Sequence, residues 1–334
     1  MALSDRHIVG IKSESTYGTD AFTSSAPTDS EWLGIIGEPS IQERTVDVPA
    51  SEKTHDGLGG QILRYGDATD VSFSTYLVGK ESTAGDPPPV IADLYKASNL
   101  DETVNSGTSV DYATAYGRAM ASVPAMTVYE GIRDDVSGDY FTRVVTGVRG
   151  VPTFVFEDGQ DARVNYEGVG LYSEMTTSTT AISAPSSYSG GKNRLKCQGM
   201  TLTYDGTQYP ITSAEVVTGM EVDEDRELGN DHAVDEVGLY LPNEAKPGGS
   251  VTFKARSNVI TTILGANVQP DNGSFTVVPT ADLVITLTAT GTTDTIEITM
   301  TDCAFGAHSK NLAGGNYLFD VPFTALGGLS ISFS

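Results

Sequence analysis

Thr295-Ile-Glu-Ile-Thr-Met300 alternates polar and apolar residues without a break. Successive side chains of a strand point to opposite faces, so this period of two puts Thr295, Glu297, Thr299 and Thr301 on one face and Ile296, Ile298 and Met300 on the other. One wet and one buried face is the pattern of an antiparallel sheet. Outward from it the same period recurs in Leu283-Val-Ile-Thr-Leu-Thr288, Ser250-Val-Thr-Phe-Lys254 and Tyr317-Leu-Phe-Asp-Val321. It is found again far upstream, in Asp70-Val-Ser-Phe-Ser-Thr-Tyr-Leu77, Tyr140-Phe-Thr-Arg-Val-Val-Thr-Gly-Val148, Thr153-Phe-Val-Phe156 and Ala162-Arg-Val-Asn-Tyr166. Gly, Asp and Pro punctuate these runs, so the expected class is mainly β. With 36 glycines, 15 prolines and 39% apolar residues, the composition suits turn-rich β structure.

The 334 residues exceed one ordinary domain of about 150–200 and predict two. Met175 to Lys192 is a run of small polar residues that builds no core and reads as a linker. Elements on its two sides follow one order. Trp32-Leu-Gly-Ile-Ile36 leads into Ile41-Gln-Glu-Arg-Thr-Val-Asp-Val48, as Tyr209-Pro-Ile-Thr-Ser213 leads into Val216-Val-Thr-Gly-Met-Glu-Val-Asp223. An acidic excursion follows each, and the chain returns through Val71-Ser-Phe73 and Val251-Thr-Phe253, 180 residues apart. A single short helix is predicted next in each half. Val90–Ser98 carries Ile91, Leu94, Tyr95 and Ser98 on one face, and Asn258–Leu264 has Ser257 as a candidate cap. The expected organisation is an arm over 1–30, a first domain over 31–175, a linker over 176–192 and a duplicated second domain over 193–334.

The 44 acidic and 20 basic side chains leave a formal charge of −24, which repels nucleic acid phosphates and anionic membranes and excludes ordinary DNA-binding modules. Cys197 and Cys303 are too few for a disulfide framework and are not spaced as a metal pair, so free buried thiols are expected. The opening Met1-Ala-Leu-Ser-Asp-Arg-His lacks a signal-peptide core and no run approaches about 18 apolar residues, so a soluble chain made in a cytoplasm is expected.

Gly10-Ile-Lys-Ser-Glu-Ser-Thr-Tyr-Gly-Thr19, followed by Asp20-Ala-Phe-Thr, resembles the start of major tail tube proteins of long-tailed, siphovirus-like bacteriophages. The duplicated layout and the strand-rich Leu329-Ser-Ile-Ser-Phe-Ser334 extend the resemblance in organisation. It implies two β-sandwich or half-barrel units, each flanked by a short helix, whose sheets join neighbours into a β-barrel. Six such units make a ring, so a duplicated chain would form a trimer with approximate sixfold symmetry. It further implies a non-enzymatic virion protein, assembled in the host cytoplasm around a tape-measure protein, capped by tail terminator and tip proteins, and conducting DNA into the host.

On that resemblance, acidic residues are candidates for the lumen or the surface between rings: Glu221, Asp223, Asp225 and Glu227 in one excursion, Glu43, Asp47 and Asp67 in the other, and Glu297 on the wet strand. An acidic wall would keep DNA mobile where a basic wall would bind it. Lys12, Glu14 and Tyr17 are candidates for contacts between subunits through the arm. No metal or cofactor is expected. Measured from Asp223, an EF-hand would need Gly and a carboxylate where Leu228 and Val234 stand, and loop histidines His55 and His232 lack a fixed third ligand. No nucleophile elbow occurs, although an acidic β protein always offers carboxylate pairs. An extracellular adhesin or decoration module, or an acidic β-sandwich glycoside hydrolase, remains open as an alternative.

Overall fold

The computed structural model describes residues 7–23, 25–49, 62–79, 89–105, 108–116, 118–119, 122–133, 140–178, 194–225, 234–240, 246–266, 278–288, 294–313 and 316–334. The chain is mainly β. Its first half forms β1 (His7–Ser13), β2 (Trp32–Leu33), β3 (Ser40–Pro49), β4 (Ile62–Tyr76), the helix α1 (Pro89–Lys96), β5 (Leu100–Asn105), β6 (Ser109–Thr114), β7 (Met126–Arg133), β8 (Tyr140–Glu157), β9 (Arg163–Leu171) and β10 (Thr176–Ser178). The second half forms β11 (Thr201–Tyr204), β12 (Thr207–Tyr209), β13 (Ile211–Val217), β14 (Glu221–Asp225), β15 (Glu236–Tyr240), β16 (Gly248–Lys254), a π-helical turn (Val259–Ala266), β17 (Ala281–Thr288), β18 (Thr295–Phe305), β19 (Ser309–Ala313) and β20 (Asn316–Phe333).

Every pairing is antiparallel. Neighbours in the first half run β3, β4, β9, β8, β7, β1. In the second half they run β13, β16, β20, β18, β17, β11. In each row the helical element follows the second strand. β10 pairs with β8 in the register that β9 sets, whereas β18 slips by one residue on β20 after Thr301 and β19 returns to the register of its first part.

Among the described residues two strand seams join the halves, beside the isolated bridges Val78–Arg194 and Asp161–Lys196. Thr153–Glu157 at the end of β8 pair with Ser213–Val217 of β13, and Ser330–Phe333 of β20 pair with Val110–Ala113 of β6. The first seam creates one row of eight strands, β3, β4, β9, β8, β13, β16, β20 and β19. Its apolar face is a single core shared by the halves, with Phe73, Tyr166, Phe154, Val216, Val251 and Val321 all buried. α1 seats Val90, Ile91, Leu94 and Tyr95 in that core, and Tyr95 stands 5.2 Å from Tyr112 and 6.2 Å from Phe333, ring to ring.

Three expectations differ from the structure. Residues 7–13 are not part of a free arm. The run Ile8-Val9-Gly10-Ile11 is apolar enough to form β1, which pairs along β7 from His7–Ile132 to Ser13–Met126 and is buried. Thr176–Ser178, read as linker, instead pair with β8, while residues 179–192 lie outside the described residues. The second helix is a π-helical turn, in which the β-branched run Val259 to Ile263 resists ordinary α-helical side-chain packing.

Phe154 is fully buried where the halves meet. Phe154→Ala should therefore cost about 3–5 kcal/mol, read as a lower urea midpoint. Because the core is shared, Trp32 fluorescence and far-ultraviolet circular dichroism should report one coincident transition.

Candidate functional site

Residues opposite each other in an antiparallel pair point to the same side. The register therefore carries the polar side of β4 across the whole row. Ser72 faces Glu167 of β9, which faces Val151 of β8. Val155 faces Glu215 of β13, which faces Ser250 of β16. Thr252 faces Asp320 of β20, which faces Ser309 of β19. Ser332 faces both Glu297 and Asp111. This face gathers the carboxylates of Asp70, Glu157, Glu167, Glu215, Asp320, Glu297 and Asp111 among serines, threonines and Asn165, and every one of them is exposed or half-buried. Of its cations, Arg163 and Lys254 are each beside a carboxylate, Glu157 at 2.9 Å and Asp158 at 3.5 Å, and Arg44 and Arg149 stand at its covered end. A groove of about 1070 Å³ opens on the face, lined among others by Gln42, Asp70, Glu167, Glu215 and Glu221.

One end of the face is covered. The excursion read as a loop is in part a hairpin, with β14 paired to β15 from Glu221–Tyr240 to Asp225–Glu236. It lays Val222, Val234 and Val237 on Ala68 and Val169 of the first half. Arg149 of β8 is 1% exposed beneath it. Its guanidinium donates to Glu236 at 3.0 Å and to the Val237 carbonyl, and it stacks on Tyr17 at 4.6 Å. The Val237 amide donates to the Tyr17 hydroxyl at 2.6 Å. Arg44 adds a bridge to Glu224 at 2.6 Å and approaches Asp70 at 3.2 Å.

Of the acidic candidates, Glu297 lies on the continuous wet face. Glu221 lines the groove and accepts from the Tyr240 hydroxyl at 2.9 Å. Asp223 and Asp225 follow it along β14, and Glu227 lies outside the described residues. Glu43 accepts from buried Arg143 at 2.8 Å. Asp47 pairs with Arg64 at 2.6 Å, whose hydrogen bond holds its carboxyl below the usual range. Asp67 is buried, 3.9 Å from Arg44. The candidates of the N-terminal segment bond within their own chain. Lys12 reaches Glu31 at 2.9 Å, Glu14 accepts from the amides of Gly18 and Gly147 at 2.7 Å and the Thr127 hydroxyl at 3.0 Å, and Tyr17 lies under Arg149. Sequence reading missed Asp70, Glu157, Glu167, Glu215, Asp320 and Asp111. Their signal was the period of two, as in Arg163-Val-Asn-Tyr-Glu167, which assigns each acid to the wet side.

Both cysteines are free and buried, and burial pushes the Cys303 thiol up to about 12 and raises that of Cys197, so neither supplies a thiolate nucleophile. Among the described residues no three His, Cys, Asp or Glu side chains are grouped to hold a metal. His7 is bonded to Glu130 at 2.6 Å and His308 packs on Phe319, while His55 and His232 lie outside the described residues. No helix among the described residues is long and apolar enough to cross a membrane. No protein-family model matches the chain, and no curated protein matches it.

Removing Arg149 leaves the Val237 carbonyl without its side-chain donor and the half-exposed Glu236 without its cation, so Arg149→Ala should cost about 1–3 kcal/mol. Hydrogen exchange should rise first at Val222–Asp225 and Val234–Tyr240. Glu14 gives a pH signature. Burial raises its carboxyl above the ordinary 4.5 in spite of the three donors. Its protonated form is the one the fold favours, so that contribution is present below 4.5 and is lost as pH rises through the folded-state value. The stability of the natural chain relative to Glu14→Gln should therefore fall between pH 4 and pH 7, measured as the difference in urea midpoints.

Proposed function

We propose that this chain is a structural subunit that joins copies of itself into rings, and that the rings stack into a tube whose acidic bore passes DNA, as a major tail tube protein does. The observation that carries the reading is the exposed face of the eight-strand row, which carries carboxylates from Asp70 to Asp320, is broken at Val151 and Val155 of β8 and by the hairpin at one end, and is backed by one apolar core. Between its two ends such a wall has its strands paired, and among the described residues its cations stand singly beside carboxylates rather than in an array that binds phosphates by releasing counterions. It repels a duplex from every side and so keeps it centred and moving.

The two halves are read as copies of one unit, supported by their matching strand order and by the helical element in the same place in each. Three chains then supply six units. Curved into a ring, the rows put the wet face inside and leave the hairpin of β14 and β15 at a rim. A tape-measure protein would occupy the bore during assembly, and terminator and tip proteins would meet the exposed rims. The virion tail is the proposed location, and no catalytic step is assigned.

Electron microscopy of the purified protein should show rings or tubes of uniform bore. Particles of single-chain size at every concentration tried would sink the reading. The bore itself is tested by Glu167→Lys, Glu215→Lys and Glu297→Lys in one chain, all three positions being exposed. Assemblies of this variant should retain duplex DNA at about 50 mM salt and release it as salt rises, whereas natural assemblies should retain none at either salt.

A further inference from the structure

The eight-strand row has two open ends. Among the described residues β3 pairs only with β4, and β19 pairs only with β20. The seam inside the chain indicates what belongs there. Ser72 of β4 lies between Ser40 and Glu167, and Thr252 of β16 lies between Ser213 and Asp320, so β3 stands in the first half where β13 stands in the second. Glu167 faces Val151 and Asp320 faces Ser309, so β19 stands where the end of β8 stands. β13 and the end of β8 are the strands that pair across the seam. Their counterparts, β3 and β19, are the two strands of the row that have one edge unpaired among the described residues.

We propose that β19 of one copy of this chain pairs, antiparallel, with the outer edge of β3 of a second copy, repeating between chains the seam that joins the halves within one. The proposal rests on the assembly reading above and names its interface. Carrying the register of the seam across, Phe154 facing Val216 becomes Leu312 facing Glu43, and Lys310 faces Thr45.

Two further observations fit a second copy as the occupant. Phe154 and Val164, which faces it on β9, are buried beside the internal seam, whereas their counterparts Leu312 and Tyr317 are 64% and 51% exposed. An apolar pair stands open where its counterpart is covered. In the proposed register Lys310 falls on one face diagonally between Glu43 and Asp47, within reach of both carboxylates. A contact between two different edges of one chain is head-to-tail, so it repeats until a ring closes. It also leaves no edge of the row exposed to aggregation.

The test is a chain carrying both Thr45→Cys and Lys310→Cys. Both positions are exposed and both natural cysteines are buried. Mild oxidation should give linked species of two and three chains on non-reducing gels, lost on adding a thiol, while neither single variant should give species larger than two chains. Rings or tubes that form without these links would overturn the proposed pairing and leave the assembly reading standing. A natural chain that forms no assembly at all would overturn both. Lys310→Glu supplies an independent measure, since it sets a third carboxylate between Glu43 and Asp47. The concentration needed for assembly should rise at least tenfold with the circular dichroism spectrum unchanged, and an unchanged assembly concentration would also overturn the pairing.

Discussion

Backbone N–H and C=O groups on both sides of a strand need partners, and β8 and β20, at 18 residues each, outrun every neighbour they have. β8 gives its first part to β7 and its last to β13. β20 gives its first part to β16 and its last to β6. Each long strand therefore borrows a partner from the other half. That exchange makes one core of two halves and turns two short rows into a long one. The polar face inherits its continuity from the same exchange, because register passes through the seam without a slip between Thr153 and Glu157.

The sidedness of the row is as consequential as its length. On the dry side, aromatic and branched side chains meet across the strands, with Phe73 stacked on Tyr166 at 5.1 Å and Tyr209 edge-on to Phe253 at 6.2 Å. On the wet side, carboxylates are spread along the strands. Among the described residues the wet side is closed above Arg149, and there the chain uses charge to hold the cover: a buried guanidinium, an aromatic ring beneath it, a carboxylate and a carbonyl beside it. Part of the acidic excursion thus stabilises the single chain, through Glu224 and Glu236.

The strands and α1 were legible because their patterns are local. Thr295 to Met300 states its two faces outright, and Ile91, Leu94 and Tyr95 mark the buried stripe of α1. The equivalence of Val71–Phe73 with Val251–Phe253 could also be read, and these residues do occupy matching places in the two rows. Pairings between distant strands left no such mark. Nothing in Ile8-Val9-Gly10-Ile11 names β7 as its partner, and the polar residues after it suggested an arm. Charge density misled as well: it drew attention to Glu221–Glu236, whereas the face is built from single acids dispersed one or two to a strand, whose alignment exists only once the register is known.

The second seam has a consequence for biosynthesis. The Ser332 hydroxyl donates to Asp111 at 2.6 Å across 221 residues of sequence. At about 5–20 residues per second, a ribosome needs some 10–45 seconds to travel that distance. Through that interval β6 is already made, and the strand that will cover its edge does not yet exist. Until then the backbone edge of β6 lacks the partner that β20 will give it and is open to any other chain emerging nearby. Asp101 and Asp111 on one side of the β5–β6 hairpin and Glu102 on the other are charges of the kind that blunt an open strand edge, and they would keep neighbouring nascent chains apart until their own last strands arrive.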